Sequence, residues 1–226
     1  MTATVPTYTA AQVRAAEAPL LAAGVPLMRR AAAALAAVIA EGYPRRMLVL
    51  AGAGDNGGDA LFAAASLAGQ GVDVDILCTA DRVHDEALAA ATRAGARAIA
   101  LGALDPDAYE VIVDGILGIG ARGALRATAR DVVERLQRAS AMVIAVDLPS
   151  GIDPDGGEND GVVLTAATTV TFGAVKAGLA SDAGAQHSGR IVLVDLGLDL
   201  STAEATGTAS VSEVRDGTRN ELDLPG

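Results

Sequence analysis

A glycine-rich segment, GAGDNGGDA, follows an apolar run and precedes a helix-forming stretch. Gly52, Gly54 and Gly57 match the pattern G-x-G-x-x-G, and Gly58 extends the bare backbone to the start of the predicted helix. Glycines let backbone N–H groups approach an anion closely, and a helix N-terminus adds partial positive charge. The segment therefore predicts a diphosphate site, although a tight strand-to-helix turn without a ligand would use the same residue types.

Two aspartates, Asp114 and Asp147, each end an apolar run and precede a glycine-bearing loop, in VIVDGILGIG and MVIAVDLPSGID. Ligands of open parallel sheets bind beyond the carboxyl ends of the strands, so both should converge with the glycine segment on one crevice. Asn56, Asp114 and Ser150 together could supply oxygen ligands to a hard cation. Either aspartate taken alone could instead cap the turn that follows it.

Other polar residues give weaker signals. Asp73 and Asp75 come too early in their predicted strand to be the acid that a dehydrogenase places on the ribose. Lys176 is the only lysine of the chain, which fits either a need for a compact ammonium or a compositional accident. His84 and His187 lie in polar surroundings and are predicted to be exposed.

The elements that position these residues alternate between strand and helix. Apolar runs without polar alternation, such as MLVLA and MVIAV, are typical of parallel strands covered on both faces. They predict an α/β fold, a three-layer α/β/α Rossmann-like sandwich with a mostly parallel central sheet and two N-terminal helices, the first capped by Thr9. The predicted strands are 47–51, 72–78, 111–114, 142–147, 168–172 and 191–195, and the later helices are 59–68, 85–94 and 127–138.

Composition limits the classes of function. Seventeen basic and 28 acidic residues give a net charge of −11, and aromatic residues make up only 2% of the chain, which argues against nucleic acid and membrane surfaces as partners. One cysteine and two histidines cannot form the usual zinc site or a disulfide framework. The N-terminus lacks a targeting pattern, so we expect a cytoplasmic protein with one domain over residues 1–200 and a polar, flexible tail over 201–226.

Four motifs, in this order and spacing, resemble the YjeF N-terminal domain of the NAD(P)H-hydrate epimerase family: GAGDNGGDA, VDGILGIGARG, VIAVDLPSGIDPDGG and TVTFGAVKAGL. The resemblance spans roughly residues 7–198. It implies a homodimeric isomerase that interconverts the R and S epimers of NADHX and NADPHX, the hydrated cofactors, in metabolite repair. It also implies a potassium ion held by Asn56, Asp114 and Ser150, and a separate NAD(P)H-hydrate dehydratase as functional partner.

The resemblance also implies the substrate contacts. Asp147 would contact the reacting end of the dinucleotide, and the remaining contacts are Asp55, Asn56, Gly57, Gly58, Asp59, Gly118, Ile119, Gly120, Ala121, Arg122, Gly123 and Ala124. Epimerisation can proceed by loss of the hydroxyl group, driven by the ring nitrogen, and return of water to the other face. We expect Asp147 to be the acid and base, which requires burial to raise its pKa from about 4 toward neutrality.

Three residues depart from the pattern of the family. Asp55 stands where most family members have asparagine, and Ala60 and Ile119 replace the usual glycine and threonine. The extra carboxylate at position 55 should weaken diphosphate binding. Two other functions remain open, a non-catalytic dimerisation scaffold of the same fold and an NAD-dependent dehydrogenase. Tight RNA binding at low salt would favour the scaffold, and a change in nicotinamide absorbance would favour the dehydrogenase.

Overall fold

The apolar runs of the sequence pair into one large sheet in the computed structural model, which describes residues 2–120 and 124–218. The strands are β1 (Ala3–Tyr8), β2 (Arg46–Ala51), β3 (Asp73–Cys78), β4 (Arg97–Ala98), β5 (Val111–Gly115), β6 (Met142–Val146), β7 (Thr168–Phe172), β8 (Val175–Lys176), β9 (Arg190–Asp195), β10 (Gly207–Val211) and β11 (Glu213–Asp216). The α-helices are α1 (Ala10–Ala22), α2 (Leu27–Ala40), α3 (Asp55–Gly69), α4 (Asp85–Arg93), α5 (Ala127–Leu136), α6 (Ala177–Ala180) and α7 (Asp182–Ser188).

The central sheet has eight strands in the order β11-β9-β7-β6-β5-β2-β3-β4, and all of its pairings are parallel. The chain runs outward from β2 through β3 to β4 and then returns to place β5 on the other side of β2. The strand order therefore reverses between β2 and β5, and the crevice beyond the carboxyl ends of these strands is the preferred ligand site of such sheets.

Helices cover both faces of this sheet and form the predicted three layers. Helices α2, α3 and α4 pack on one face, where Leu35, Leu61 and Val49 belong to one buried cluster. Helix α5 packs on the other face, where Val132 and Ile112 belong to a second cluster. The α/β/α sandwich and its two N-terminal helices are confirmed, and Thr9 caps α1 through the backbone N–H of Gln12, 3.2 Å away.

A small second sheet, in the order β10-β1-β8, was not predicted. Strand β1 precedes the two helices, and β10 pairs with it antiparallel while β11 extends the main sheet beside β9. The expected flexible tail from residue 201 is therefore wrong for residues 207–216, and residues 219–226 lie outside the described structure. The sequence pattern of β10 is weak because this strand buries only Ala209 and Val211. Backbone pairing, rather than a run of apolar residues, holds β10 in its sheet.

Three local details also differ from the sequence expectations. Helix α3 begins at Asp55, four residues earlier than predicted, so the acidic and glycine residues of the motif form its first turns. His84 and His187 are half-buried rather than exposed, and Nδ1 of His84 caps α4 by accepting from the N–H of Ala87 at 3.2 Å.

No single helix of the described chain is long and apolar enough to cross a membrane, and only α1 and α2 together, bent by 114°, reach that length and composition.

Candidate active site

Two adjoining cavities lie at the reversal of strand order. The first, called here the main cleft, has a volume of about 280 Å³ and is lined by Glu17, Leu21, Leu27, Met28, Ala31, Asp55, Asn56, Asp59, Ile119, Asp147, Phe172 and Leu196. The second, the loop crevice, has a volume of about 310 Å³ and is lined by Gly54, Asp55, Asn56, Leu117, Gly118, Ile119 and Gly120. They share Asp55, Asn56 and Ile119, so one extended ligand can occupy both.

The motif glycines serve two different purposes. A Cβ on Gly52 would lie 1.8 Å from the carbonyl oxygen of Ile116, so Gly52 lets the loops after β2 and β5 approach each other closely. A Cβ on Gly57 would lie 2.1 Å from the carbonyl oxygen of Gly52, so Gly57 lets α3 pack closely against the end of β2. Gly54 precedes α3, lines the loop crevice and has no atom within 4 Å of such a Cβ. Gly54 is thus the glycine that leaves space for an anion at the N-terminus of α3.

Asp147 follows the last residue of β6 in a left-handed conformation, with φ of 66°. Non-glycine residues rarely adopt this conformation, and aspartate tolerates it better than most. Its backbone N–H donates to the carbonyl oxygen of Val170 at 2.7 Å, which fixes the turn. The turn places the carboxylate against the end of β7, where Oδ1 accepts from the N–H of Phe172 and the hydroxyl of Thr171, both at 3.2 Å.

Lys176 forms a buried ion pair with Asp147. Its side chain is 1% exposed, and Nζ contacts Oδ1 of Asp147 while donating to the carbonyl oxygen of Phe172 at 2.8 Å. All the hydrogen bonds that Asp147 accepts from the described residues reach this one oxygen. The ammonium thus compensates the carboxylate charge, and Oδ2 remains free of protein donors in the described structure.

Asn56, Asp114 and Ser150, the three predicted cation ligands, lie together and are buried. Oγ of Ser150 donates to Oδ1 of Asp114 at 2.6 Å, and the backbone N–H of Ser150 donates to Oδ2 at 2.8 Å. The amide of Asn56 links the β5 and β6 loops by donating to the carbonyl oxygens of Leu117, at 2.9 Å, and Val146, at 2.5 Å. Burial raises the pKa of Asp114, and the hydrogen bonds from Ser150 oppose this effect.

This cluster fits a monovalent cation by its donor chemistry. It offers carboxylate, amide and hydroxyl oxygens with a single formal negative charge, whereas divalent cations in proteins usually recruit more carboxylates. A carboxylate whose burial is only partly compensated by hydrogen bonds would gain from a positive charge nearby. The neighbouring loop is also tightly fitted, since a Cβ on Gly118 would lie 2.3 Å from Oδ1 of Asn56.

Most of the predicted contact residues that the structure describes line the two cavities. Asp55, Asn56, Asp59, Ile119 and Asp147 line the main cleft, and Gly118 and Gly120 line the loop crevice. Gly57 and Gly58 line neither cavity; a Cβ on Gly58 would lie 2.9 Å from the side chain of Met28. Ala124 lines a separate recess beside Asp153 and Asp160. Ala121, Arg122 and Gly123 lie outside the described residues.

Sequence reasoning missed the roles of Glu17, which lines the main cleft, and of Lys176, which pairs with Asp147. Lys176 carried one signal, its status as the only lysine, but nothing in the sequence identified its partner. Glu17 on α1 is half-buried, and burial raises its pKa, with Lys176 opposing and Asp147 reinforcing that effect. It sits in an alanine-rich helix whose sequence gives no indication of a site.

Neither Asp73 nor Asp75 can be the acid that binds the ribose in a dehydrogenase. Asp73 and Asp75 lie at the start of β3, far from its carboxyl end. Asp75 is buried and forms ion pairs with Arg46 and Arg97 at 3.0 and 2.8 Å. These aspartates therefore stabilise the amino-terminal ends of the strands and do not line the cleft.

Several known proteins are similar to this chain in sequence. The family described as YjeF-related protein N-terminus matches residues 24–178. The chain is 54% identical to the NAD(P)H-hydrate epimerase of Microbacterium testaceum, covering 92% of this chain and 86% of that protein. It is 49% identical to the NAD(P)H-hydrate epimerase of Clavibacter sepedonicus, covering 90% and 95% of the two chains.

Two further relatives add the domain context and the fold. A bifunctional NAD(P)H-hydrate repair enzyme of Mycobacterium tuberculosis is 42% identical over 88% of this chain, which matches 43% of that longer protein. The crystal structure of the yeast protein ynu0 superposes with a TM-score of 0.69, covering 77% of this chain and 83% of that one. At 20% identity, this last similarity concerns the fold.

Proposed function

Since the chain belongs to the family of YjeF-related N-terminal proteins, we propose that it is an NAD(P)H-hydrate epimerase, an isomerase of nicotinamide cofactor repair. It would interconvert the R and S epimers of NADHX and NADPHX. The observation that carries the proposal is the joining of an anion-accepting crevice to a cleft that ends in the buried Asp147–Lys176 pair.

The two cavities suit the two ends of a hydrated dinucleotide. The loop crevice, at the N-terminus of α3, would take the diphosphate, because backbone N–H groups and the helix dipole favour an anion there. The main cleft would take the hydrated ring, with apolar contacts from Met28 and Phe172 and with Asp147 at its end.

Asp147 would transfer a proton at the reacting carbon. The hydroxyl oxygen takes up a proton and departs as water with the electron pair of the C–O bond, while the lone pair of the ring nitrogen forms a C=N bond. Water then adds to the other face, and Oδ2 of Asp147 can accept its proton because the described donors all occupy Oδ1. Lys176 holds the carboxylate in position and balances its charge while it does so.

Asn56, Asp114 and Ser150 would hold a potassium ion beside this cleft. When bound, the ion supplies positive charge where the loops after β5 and β6 meet the first turn of α3. The three side chains already fix these loops, through the Asp114–Ser150 hydrogen bonds and the contacts of Asn56 with Leu117 and Val146. We propose that the ion tightens the same connection.

The proposal is tested by following the epimer ratio of a mixed hydrate by chromatography, with and without potassium. We expect the protein to speed the relaxation of the epimers above the uncatalysed rate, and potassium to increase the effect. Asp147→Asn should slow turnover by about 100-fold or more. The exposed Asp131 on α5, across the sheet, provides a matched control, Asp131→Asn, that should retain activity. Relaxation no faster than the uncatalysed rate would overturn the proposal.

The fold of the Asp147→Asn variant needs its own measurement. Because Lys176 would lose its partner, circular dichroism and thermal melting are used to establish whether the variant is folded. A double variant, Asp147→Asn with Lys176→Met, removes both charges and serves as the folded reference. Loss of activity in a folded variant then assigns the effect to the missing carboxylate.

A dehydratase acting on the same hydrates would complete the repair. The bifunctional relative, of which this chain matches 43%, supports a functional link between an epimerase and a second activity. The dimeric state and the cytoplasmic location remain predictions from the sequence, and sedimentation of the purified protein would test the first.

A further inference from the structure

Asp59 is a buried carboxyl group whose Oδ1 atom has no hydrogen-bond partner among the described residues. It lies in the second turn of α3, is 6% exposed and lines the main cleft together with Asp147. Its Oδ1 atom is closed off from solvent and accepts no hydrogen bond from the described residues. The favourable field of a helix N-terminus falls off beyond the first turn, so Asp59 gains less from it than Asp55 does.

The charged groups around Asp59 are mostly negative. Asp147 faces it from the end of β6, Asp55 from the same helix and Glu17 from α1, while Lys176 is the cation among them and contacts Asp147. Burial first, and then these carboxylates, raise the pKa of Asp59 well above its usual range. A neutral carboxylic acid avoids the unsatisfied buried charge and can donate its proton to an oxygen in the cleft.

The main cleft thus holds two carboxyl groups in opposite environments. Asp147 has a cation and a backbone N–H on Oδ1, whereas no described residue supplies either to Oδ1 of Asp59. Such pairs commonly divide acid and base roles in enzymes. A separate acid and base suit an epimerisation, because water leaves one face of the ring carbon and returns to the other.

We propose, resting on the epimerase function above, that Asp59 is a catalytic residue that protonates the departing hydroxyl group, while Asp147 accepts the proton of the returning water. In the first step the C–O bond breaks, its electron pair leaves with the oxygen, the proton of Asp59 converts that oxygen to water, and the nitrogen lone pair forms the C=N bond. In the second step a water oxygen bonds to the carbon, its proton passes to Asp147, and the C=N electrons return to nitrogen.

The two steps leave Asp59 ionised and Asp147 protonated. Exchange with solvent protons, or a turnover in the opposite direction, restores the starting state. The scheme assigns Asp147 the role of base and removes the need for one buried carboxylate, already paired with Lys176, to serve also as the first acid.

The test compares Asp59→Asn with wild type in kcat, its dependence on pH and the binding of NADPH as a probe. We expect kcat to fall by about 100-fold or more, NADPH affinity to change by less than about threefold, and the decline of kcat at high pH to disappear. Glu17→Gln, a matched carboxyl-to-amide change on α1, should keep that decline and move it to lower pH, because Glu17 helps to raise the pKa of Asp59. Wild-type kcat in Asp59→Asn, or loss of the decline in Glu17→Gln instead, would overturn the proposal.

An infrared measurement separates this proposal from the proposed function. Wild-type protein at pH 7 should show a carboxylic-acid C=O band that is missing in Asp59→Asn, whether or not the hydrates are substrates. Absence of that band in wild type overturns the role of Asp59 alone. Failure of wild type to accelerate epimer relaxation overturns the epimerase function, on which the catalytic role depends. Thermal melting confirms that Asp59→Asn is folded.

Discussion

Nζ of Lys176 contacts Oδ1 of Asp147 inside the protein, so the only lysine of the chain balances the carboxylate that follows β6. The two residues lie 29 positions apart in sequence and meet because β6 and β7 pair in parallel and the chain turns back after Phe172. Nζ also donates to the carbonyl oxygen of Phe172 at 2.8 Å, which ties the pair to the end of β7. Lys176 therefore both balances the charge of Asp147 and holds the end of β7 in place beside the cleft.

Removing the ammonium should destabilise the protein strongly. Lys176→Met keeps much of the side-chain volume but leaves the buried carboxylate of Asp147 without its cation, which typically lowers the free energy of unfolding by about 3–5 kcal/mol. Urea denaturation followed by circular dichroism measures the change. Adding Asp147→Asn to Lys176→Met should recover part of the loss, because the double variant holds no unpaired charge. A single variant as stable as wild type would show that the pair contributes little.

The sequence predicted which strand ends form the site, but it did not predict the contacts between residues that are distant in sequence. Asp114 and Asp147 were predictable because each terminates an apolar run, and parallel strands bring such ends to one edge. The partner of Lys176 depends on the short strand β8 and the turn before it, which have no distinctive pattern. Glu17 reaches the main cleft through the packing of α1, which sequence periodicity does not specify.

The edges of the fold were harder to predict than its centre. Buried strands such as β2 are apolar after their first residue, Arg46, whereas β1 and β10 bury one face or less and contain polar residues, and β1 also contains Pro6. The start of α3 was placed late because glycine and aspartate have low helix propensity. Close packing of Gly57 against Gly52 overrides that preference, since no larger residue fits there.

The carboxylate of Asp55 should weaken dinucleotide binding. It is exposed in the first turn of α3 and lines both cavities, where a bound diphosphate would be repelled by it. We expect Asp55→Asn to bind NADPH about fivefold more tightly at low salt, and by a smaller factor when salt screens the repulsion. Titration calorimetry at two ionic strengths measures this. The variant should also lose about 0.3–1 kcal/mol of stability, because an acid at a helix N-terminus is favourable.

A control for the Asp55 substitution lies on another helix. Asp85 is also an exposed acid in a helical first turn, that of α4, and it lines neither cavity. Asp85→Asn should show a similar small loss of stability without a gain in affinity. Equal affinity changes in the two variants would mean that net charge, rather than the position of Asp55, governs binding.

Gly118 should be essential for the geometry of the loop crevice. A Cβ at this position would lie 2.3 Å from Oδ1 of Asn56, so Gly118→Ala must displace either the loop or the asparagine. We expect NADPH affinity to fall by about tenfold or more and the response to potassium to weaken. Gly102→Ala is the matched control, because no atom lies within 4 Å of its added Cβ. Unchanged binding in Gly118→Ala would show that the loop adapts freely.

Tyr109 should make the stability of the protein fall at high pH. Its hydroxyl donates to Oδ2 of Asp75 at 3.1 Å, and burial, followed by this hydrogen bond, raises its pKa from 10.0 to about 12. The folded protein keeps a proton that the unfolded chain loses near pH 10, so this stabilisation is complete below pH 10 and is lost as the pH rises toward about 12. Urea denaturation across that range should show a declining free energy of unfolding. Tyr109→Phe should flatten the decline, whereas Tyr43→Phe, at a residue 87% exposed, should leave it unchanged; an equal slope in both variants would assign the effect to other groups.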